Sequence, residues 1–80
     1  MLSKLSESPK VVGAKQTKRV LISGKAVAVY LASDADPQVT DAVRELCVEY
    51  GVPVFDVPSM KELGHACGIA VGAAVAAMTC

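Results

Sequence analysis

A three-layer α/β/α sandwich built on a small mixed sheet is the fold class this sequence predicts, and three observations lead to it. Apolar runs of strand length alternate with amphipathic segments of helical period, an order that implies crossover connections and helices on both faces of the sheet. The helical segments are bracketed by glycine, proline and capping side chains at the positions where helices start and stop. Hydrophobic residues make up 52% of the chain and aromatics only 4%, so the core must be filled by Val, Ala, Leu and Ile, as in small layers with buried strands. Eighty residues are expected to form one domain, 1–80. A chain of this size buries only roughly 60% of its unfolded surface, which is marginal but viable alone.

The elements follow in order. Residues 1–10 are polar, with Leu2 and Leu5 placed to dock one turn on the body before Pro9 ends it. Val11 and Val12 form a very short strand feeding Gly13. A helix then fills the space up to Gly24, with Ala14, Thr17, Val20 and Leu21 facing inward. Ala26-Val-Ala-Val-Tyr-Leu-Ala32 is a continuous apolar run and reads as a central strand covered on both faces. Asp36 is a natural N-cap and Pro37 suits the first helical position. The helix from Pro37 runs to Tyr50 with an apolar stripe of Val39, Val43, Leu46, Cys47 and Tyr50, and Gly51 stops it. Residues 52–57 form a second strand, with Pro53 marking an edge or a strand start. Ser59 and Glu62 make a capping box for a short helix from Met60 to Cys67, closed by Gly68. Residues 69–72 form a loop with apolar side chains, and residues 73–78 a last strand, small and buried.

The chemistry concentrates in residues 13–24. Lys15, Gln16 and Arg19 stand at i, i+1 and i+4, which gathers three long polar side chains on the exposed side of the first turns. Gly13 has no side chain with which to cap the helix, so the first amides are free to meet an anion that the helix dipole favours. Taken alone this pattern is first a solvated amphipathic helix, with a helix end that reads nucleic acid as the competing reading.

Charge is unevenly spread. Residues 1–25 hold six cations against Glu7, a net of +5, while residues 26–80 hold Arg44 and Lys61 against seven acids, a net of −5. Asymmetry of this kind points to a face that binds a polyanion. Cys47, Cys67 and Cys80 lack CxxC spacing and read as buried or terminal free thiols of a reducing cytosol. The apolar run 66–80 is too short and too alanine-rich to span a membrane. Asp34 and Asp36 resemble a metal or acid–base pair, but capping accounts for them without a metal. His65 and Cys67 stand two apart on a helix and point to different faces, so they do not form a nucleophile–base pair. No catalytic residue, metal ligand or cofactor site is expected.

Two segments together resemble a known family. They are Gly13-Ala-Lys-Gln-Thr-Lys-Arg19 and Leu63-Gly-His-Ala-Cys-Gly-Ile-Ala-Val-Gly-Ala-Ala74, with Ser33-Asp-Ala-Asp-Pro37 fitting between them. They are similar to the kink-turn-binding ribosomal proteins typified by the archaeal large-subunit protein seven-Ae, and most of all to its short bacterial paralogues. The resemblance runs from about residue 11 to residue 78. It implies a protein that binds a kink-turn, a sharply bent helix–bulge–helix RNA with tandem sheared G·A pairs. It implies that the glycine-led helix enters the major groove at the kink and that an apolar loop covers an extruded base. The implied RNA-binding residues are Gly13, Ala14, Lys15, Gln16, Lys18 and Arg19 on the helix and Ile69, Ala70 and Val71 on the loop. Lys15, Gln16 and Arg19 stand where the wider family has asparagine, glutamate and lysine, a departure the bacterial paralogues share in part.

Physical chemistry accommodates this reading. A regular A-form helix hides its major groove from side chains, and a kink opens it. Lys or Arg reaches guanine O6 and N7, and Gln a base edge, while Lys10, Lys18 and Lys25 serve phosphates. The expected partner is structured RNA with a kink-turn, with the ribosome as one place to meet it, for a cytoplasmic monomer without membrane contact. A protein-interaction module of the same fold, using the acidic half as its surface, is the competing expectation. Ile69 and Val71 belong either to the core or to the RNA surface.

Overall fold

A computed structural model describes residues 9–79. Leu2, Leu5 and Cys80 lie outside the described residues. The elements are β1 (Lys10–Val12), α1 (Ala14–Ile22), β2 (Ala26–Ala32), α2 (Pro37–Tyr50), β3 (Val54–Val57), α3 (Met60–Ala66) and β4 (Val75–Thr79). The sheet order is β1-β4-β2-β3. β4 pairs antiparallel with β1 and with β2, and β2 pairs parallel with β3, so the sheet is mixed, as expected.

Alternation along β2 builds two cores. Val29 and Leu31 face one side, where they pack with Leu21 of α1, Val43 and Cys47 of α2, and Val75 and Ala77 of β4. Ala28, Tyr30 and Ala32 face the other, with Leu63 of α3, Cys67 and Ala76. Helices α1 and α2 therefore cover one face and α3 the other, which is the three-layer arrangement. β4 carries Ala76 and Ala77 at full burial, and their small side chains let both helical layers approach the sheet. On the α3 side Tyr30 stacks on Phe55 with ring centroids 5.4 Å apart.

The local signals act as the sequence indicates. Asp36 Oδ1 accepts from the Gln38 amide at 2.9 Å, with Pro37 in the first turn of α2. Ser59 Oγ accepts from the Glu62 amide at 3.1 Å. Asp34 also caps, but at long range: its Oδ1 accepts from the Met60 amide at 2.7 Å and ties the start of α3 to the end of β2. Both aspartates are thereby engaged as helix caps.

Two strand starts and the burial of one side chain differ from expectation. The second strand begins at Val54, because residues 52 and 53 complete the turn after α2, with Val52 donating to Cys47 and Pro53 accepting from Val29. The last strand begins at Val75, since the Ala73 amide is committed to the Met60 carbonyl of α3 at 2.9 Å. Tyr50, expected on the apolar stripe, is exposed at 45%. It stands in the last turn of α2, directly before the left-handed Gly51 cap, and packs against neither core.

Cys47 and Cys67 are free and buried. Burial pushes both thiols above their usual range, and the nearby Arg44 and Lys10 charges offset this only in part. Cys67 is thus held as a neutral packing group while His65 lies exposed on another side of α3.

Thr17 is fully buried, and its hydroxyl has no hydrogen-bond partner among the described residues. Valine has the same shape without the buried oxygen. Thr17→Val should raise the unfolding free energy by about 1 kcal/mol, measured by urea denaturation, because a desolvated hydroxyl is removed at little cost in packing. A loss of similar size would show that the hydroxyl has a partner in solution.

Candidate RNA interface

The site is made where the chain leaves β1. Gly13 adopts φ 105 and ψ 151, a conformation open to glycine and costly to residues with a Cβ. Its amide donates to the Val75 carbonyl at 2.8 Å, and its carbonyl accepts from Thr17 at 3.0 Å. This turns the backbone out of the sheet and directly into α1. No side chain caps the helix and no acid stands in its first turn. The amides of residues 14–16 have no intrahelical acceptor, and the positive end of the dipole is not neutralised.

The helix places its side chains as the spacing predicts. Thr17 and Leu21 are buried, Ala14 and Val20 half-buried, and Lys15, Gln16 and Arg19 exposed. Ala14, Lys15, Lys18, Arg19 and Ile22 line one shallow groove along the outer side of α1. Gln16 is outside the groove, turned about 100° from Lys15 around the helix. Ile22 was not anticipated from the sequence. It is 62% exposed and gives the basic groove an apolar far wall. Its place on the same stripe as Lys15 and Lys18 was the available signal.

The fold sets two of the expected phosphate cations, Lys25 and Lys10, toward the end of the sheet away from the start of α1. Lys25 follows the C-terminus of α1, where its amide bonds Val20, about 15 Å along the axis from Gly13. Lys10 opens β1, three residues before Gly13, and pairs in register with Met78, toward the end of the sheet where β2 starts after Lys25.

The loop 68–72 comes from the opposite face of the sheet. It leaves α3 through a hydrogen bond from the Ile69 amide to the Gly64 carbonyl at 3.0 Å and returns through Ala73 to Met60. Between these anchors Ile69 is 36% exposed, Val71 70% exposed, and Ala70 exposed as well. They are not core residues. The loop feeds β4, whose first residue bonds Gly13, and Ala74 packs against both cores. The helix start and the apolar loop thus converge on one end of the sheet, linked through residues 73–75 and without a direct hydrogen bond between them among the described residues. Among the described residues no three metal-ligating side chains cluster, and no helix is long and apolar enough to cross a membrane.

This constellation coincides with a family match over nearly the whole sequence. The model of the ribosomal protein L7Ae/L30e/S12e/Gadd45 family matches residues 2–80. The chain belongs to this family. Among relatives of the L7Ae family, one named an RNA-binding protein in Geobacillus sp. (strain WCH70) is 56% identical over 68 residues, covering 85% of this chain and 83% of the relative. Another of that name, from Caldanaerobacter subterraneus, is 47% identical over the same shares of both chains. The solved structure of a 15.5 kD RNA-binding protein of Giardia lamblia superposes with a TM-score of 0.88 at 28% identity, covering 99% of this chain and 68% of that one. These relatives are named as RNA-binding proteins and not as enzymes.

Exposure of Val71 has a direct consequence for stability. Val71→Ala should leave the unfolding free energy within about 0.5 kcal/mol of the parent, as for surface positions generally. A thermal or urea melt that shows a core-sized loss, about 2 kcal/mol or more, would return Val71 to the interior.

Proposed function

We propose that this protein binds structured RNA at kink-turns, using the start of α1 for the opened groove and the loop 69–71 for an extruded base. The observation that carries the proposal is the convergence of an uncapped, acid-free helix start with an exposed apolar loop at one end of the sheet. Membership of the L7Ae family and the names of its relatives support RNA as the polyanion.

Each part of the site has a distinct task in this reading. Gly13 and Ala14 present backbone close to the RNA. Lys15 and Arg19 reach guanine edges from the groove side, Gln16 reaches a base edge from the other shoulder, and Lys18 holds a phosphate. Ile69, Ala70 and Val71 cover the splayed base with aliphatic surface in place of its lost stack. Residues 1–80 act as a single RNA-binding domain, monomeric and cytoplasmic, with the ribosome among the assemblies where such an RNA occurs.

Titration of a kink-turn hairpin against a plain duplex tests the proposal. Tight binding to the hairpin should be nearly abolished when its sheared G·A pairs are converted to Watson–Crick pairs. With roughly four to six phosphates neutralised, log K should fall against log salt with a slope of about −3 to −5. Equal affinity for the duplex, or affinity independent of salt, would overturn the reading.

Two substitutions separate the tasks of helix and loop. Arg19→Ala should reduce the salt slope by about one unit. Val71→Ala should weaken binding by about 1 kcal/mol through lost base contact, with the slope unchanged because no charge is removed. Wild-type affinity in a normally melting Val71→Ala variant would confine the surface to α1.

A further inference from the structure

Helix α3 and the loop that follows it are packed backbone against backbone. Gly64 is buried in the middle of α3. A Cβ placed there would overlap the Val71 carbonyl oxygen outright and stand 3.0 Å from the Val71 carbonyl carbon and from Gly72 Cα. Gly72 meets the same helix one turn earlier, where a Cβ would lie 3.2 Å from Met60 Cβ. Neither residue has a positive φ, so the backbone does not itself demand glycine at either place. A glycine inside a helix is otherwise a destabilising choice. What glycine supplies at 64 is room for the loop to lie directly on the helix.

That room sets the height of the apolar surface. The loop is anchored at its start by the Ile69–Gly64 hydrogen bond and at its end by the Ala73–Met60 bond. Met60 is itself anchored, since its amide donates to Asp34 at 2.7 Å. Between these anchors Gly64 supports the Val71 peptide, and the Val71 side chain is 70% exposed. A methyl group at 64 would lift this peptide and redirect the Ile69 and Val71 side chains, while changing no charge and no residue on the RNA surface.

We propose that Gly64 is a positioning residue for RNA recognition: without touching RNA, it fixes the loop at the height from which Val71 and Ile69 meet the extruded base. The inference rests on the function proposed above. A preorganised apolar surface binds without the loss incurred by ordering it first.

A cycle of proteins and RNAs tests it. The proteins are the parent, Gly64→Ala and Gly72→Ala. The RNAs are a kink-turn hairpin and the same hairpin with an abasic nucleotide at the extruded base. Binding is measured where each variant's melting curve is on its folded baseline. The parent should lose affinity on the abasic hairpin. Gly64→Ala should bind the intact hairpin about tenfold more weakly, within the range of a lost base contact, and lose little more on the abasic one. Its salt slope should match the parent's. Gly72→Ala should show the same selective loss in smaller measure, because its Cβ crowds Met60 by only a few tenths of an ångström, and it carries the test if Gly64→Ala does not fold. Parent-like affinity of folded Gly64→Ala for the intact hairpin, or an equal loss on both RNAs, would reduce Gly64 to a packing residue. An unaltered affinity of the parent for the abasic hairpin would overturn the base-covering loop itself, and is seen before any variant is made.

Discussion

The last strand lies between the first two, and most of the molecule follows from that insertion. β4 pairs with β1 on one side and β2 on the other, with Val29, Ala77 and Val11 in successive register across the three. A strand in this position is covered on both faces and has room only for small or slender side chains, which Val75, Ala76 and Ala77 provide. The insertion fixes where the ends of the chain go. Because β4 begins where β1 ends, the Val75 carbonyl receives the Gly13 amide. A helix start from the first fifth of the chain and a loop from its last fifth become neighbours. Neither could be placed by local structure alone.

The two neighbours are stabilised in different ways. Helix α1 is held by its inner face, chiefly Leu21, and leaves its first amides open. The loop has almost no buried side chain of its own. It is held through its backbone, by hydrogen bonds at both ends and glycine contacts in between. An apolar loop that buried its side chains would stabilise the fold and present nothing. Anchoring through the backbone leaves Val71 outside, at the cost of keeping apolar surface in water. That cost is small for one valine and one isoleucine, and it is recovered if a base covers them.

Most of the fold was legible because its signals are local. Asp36 with Pro37, and Ser59 with Glu62, mark helix starts within four residues of chain. The inward face of α1 follows from its period alone. What escaped the sequence was set at a distance. Tyr50 shares the apolar stripe of α2 by angle, yet as the last residue of the helix it packs against neither core. The Asp34–Met60 bond spans 26 residues, and its donor is a backbone amide that no sequence pattern marks. The exposure of Ile69 and Val71 could not be decided from their apolar character, because core and binding loop use the same side chains. The difference lies in Gly64, whose missing side chain lets the loop run over the outside of α3.

The acidic half of the chain also gains a role from the fold. Helix α2 lies beside α1 on one face of the sheet and exposes Asp41, Glu45 and Glu49. Its cation, Arg44, is engaged with Asp56 at 2.8 Å. Such an exposed pair contributes little to stability. It does leave the outer surface of α2 negative. A phosphate backbone approaching the proposed site is therefore attracted to α1 and repelled by its neighbour, over distances of about a Debye length or less. Formal neutrality of the whole chain does not weaken this argument, because the field at a surface depends on how charge is arranged and not on its sum. The consequence is directional. RNA seated at the start of α1 would extend toward the loop 68–72 and away from α2, and the apolar loop lies on the side where the charges permit it.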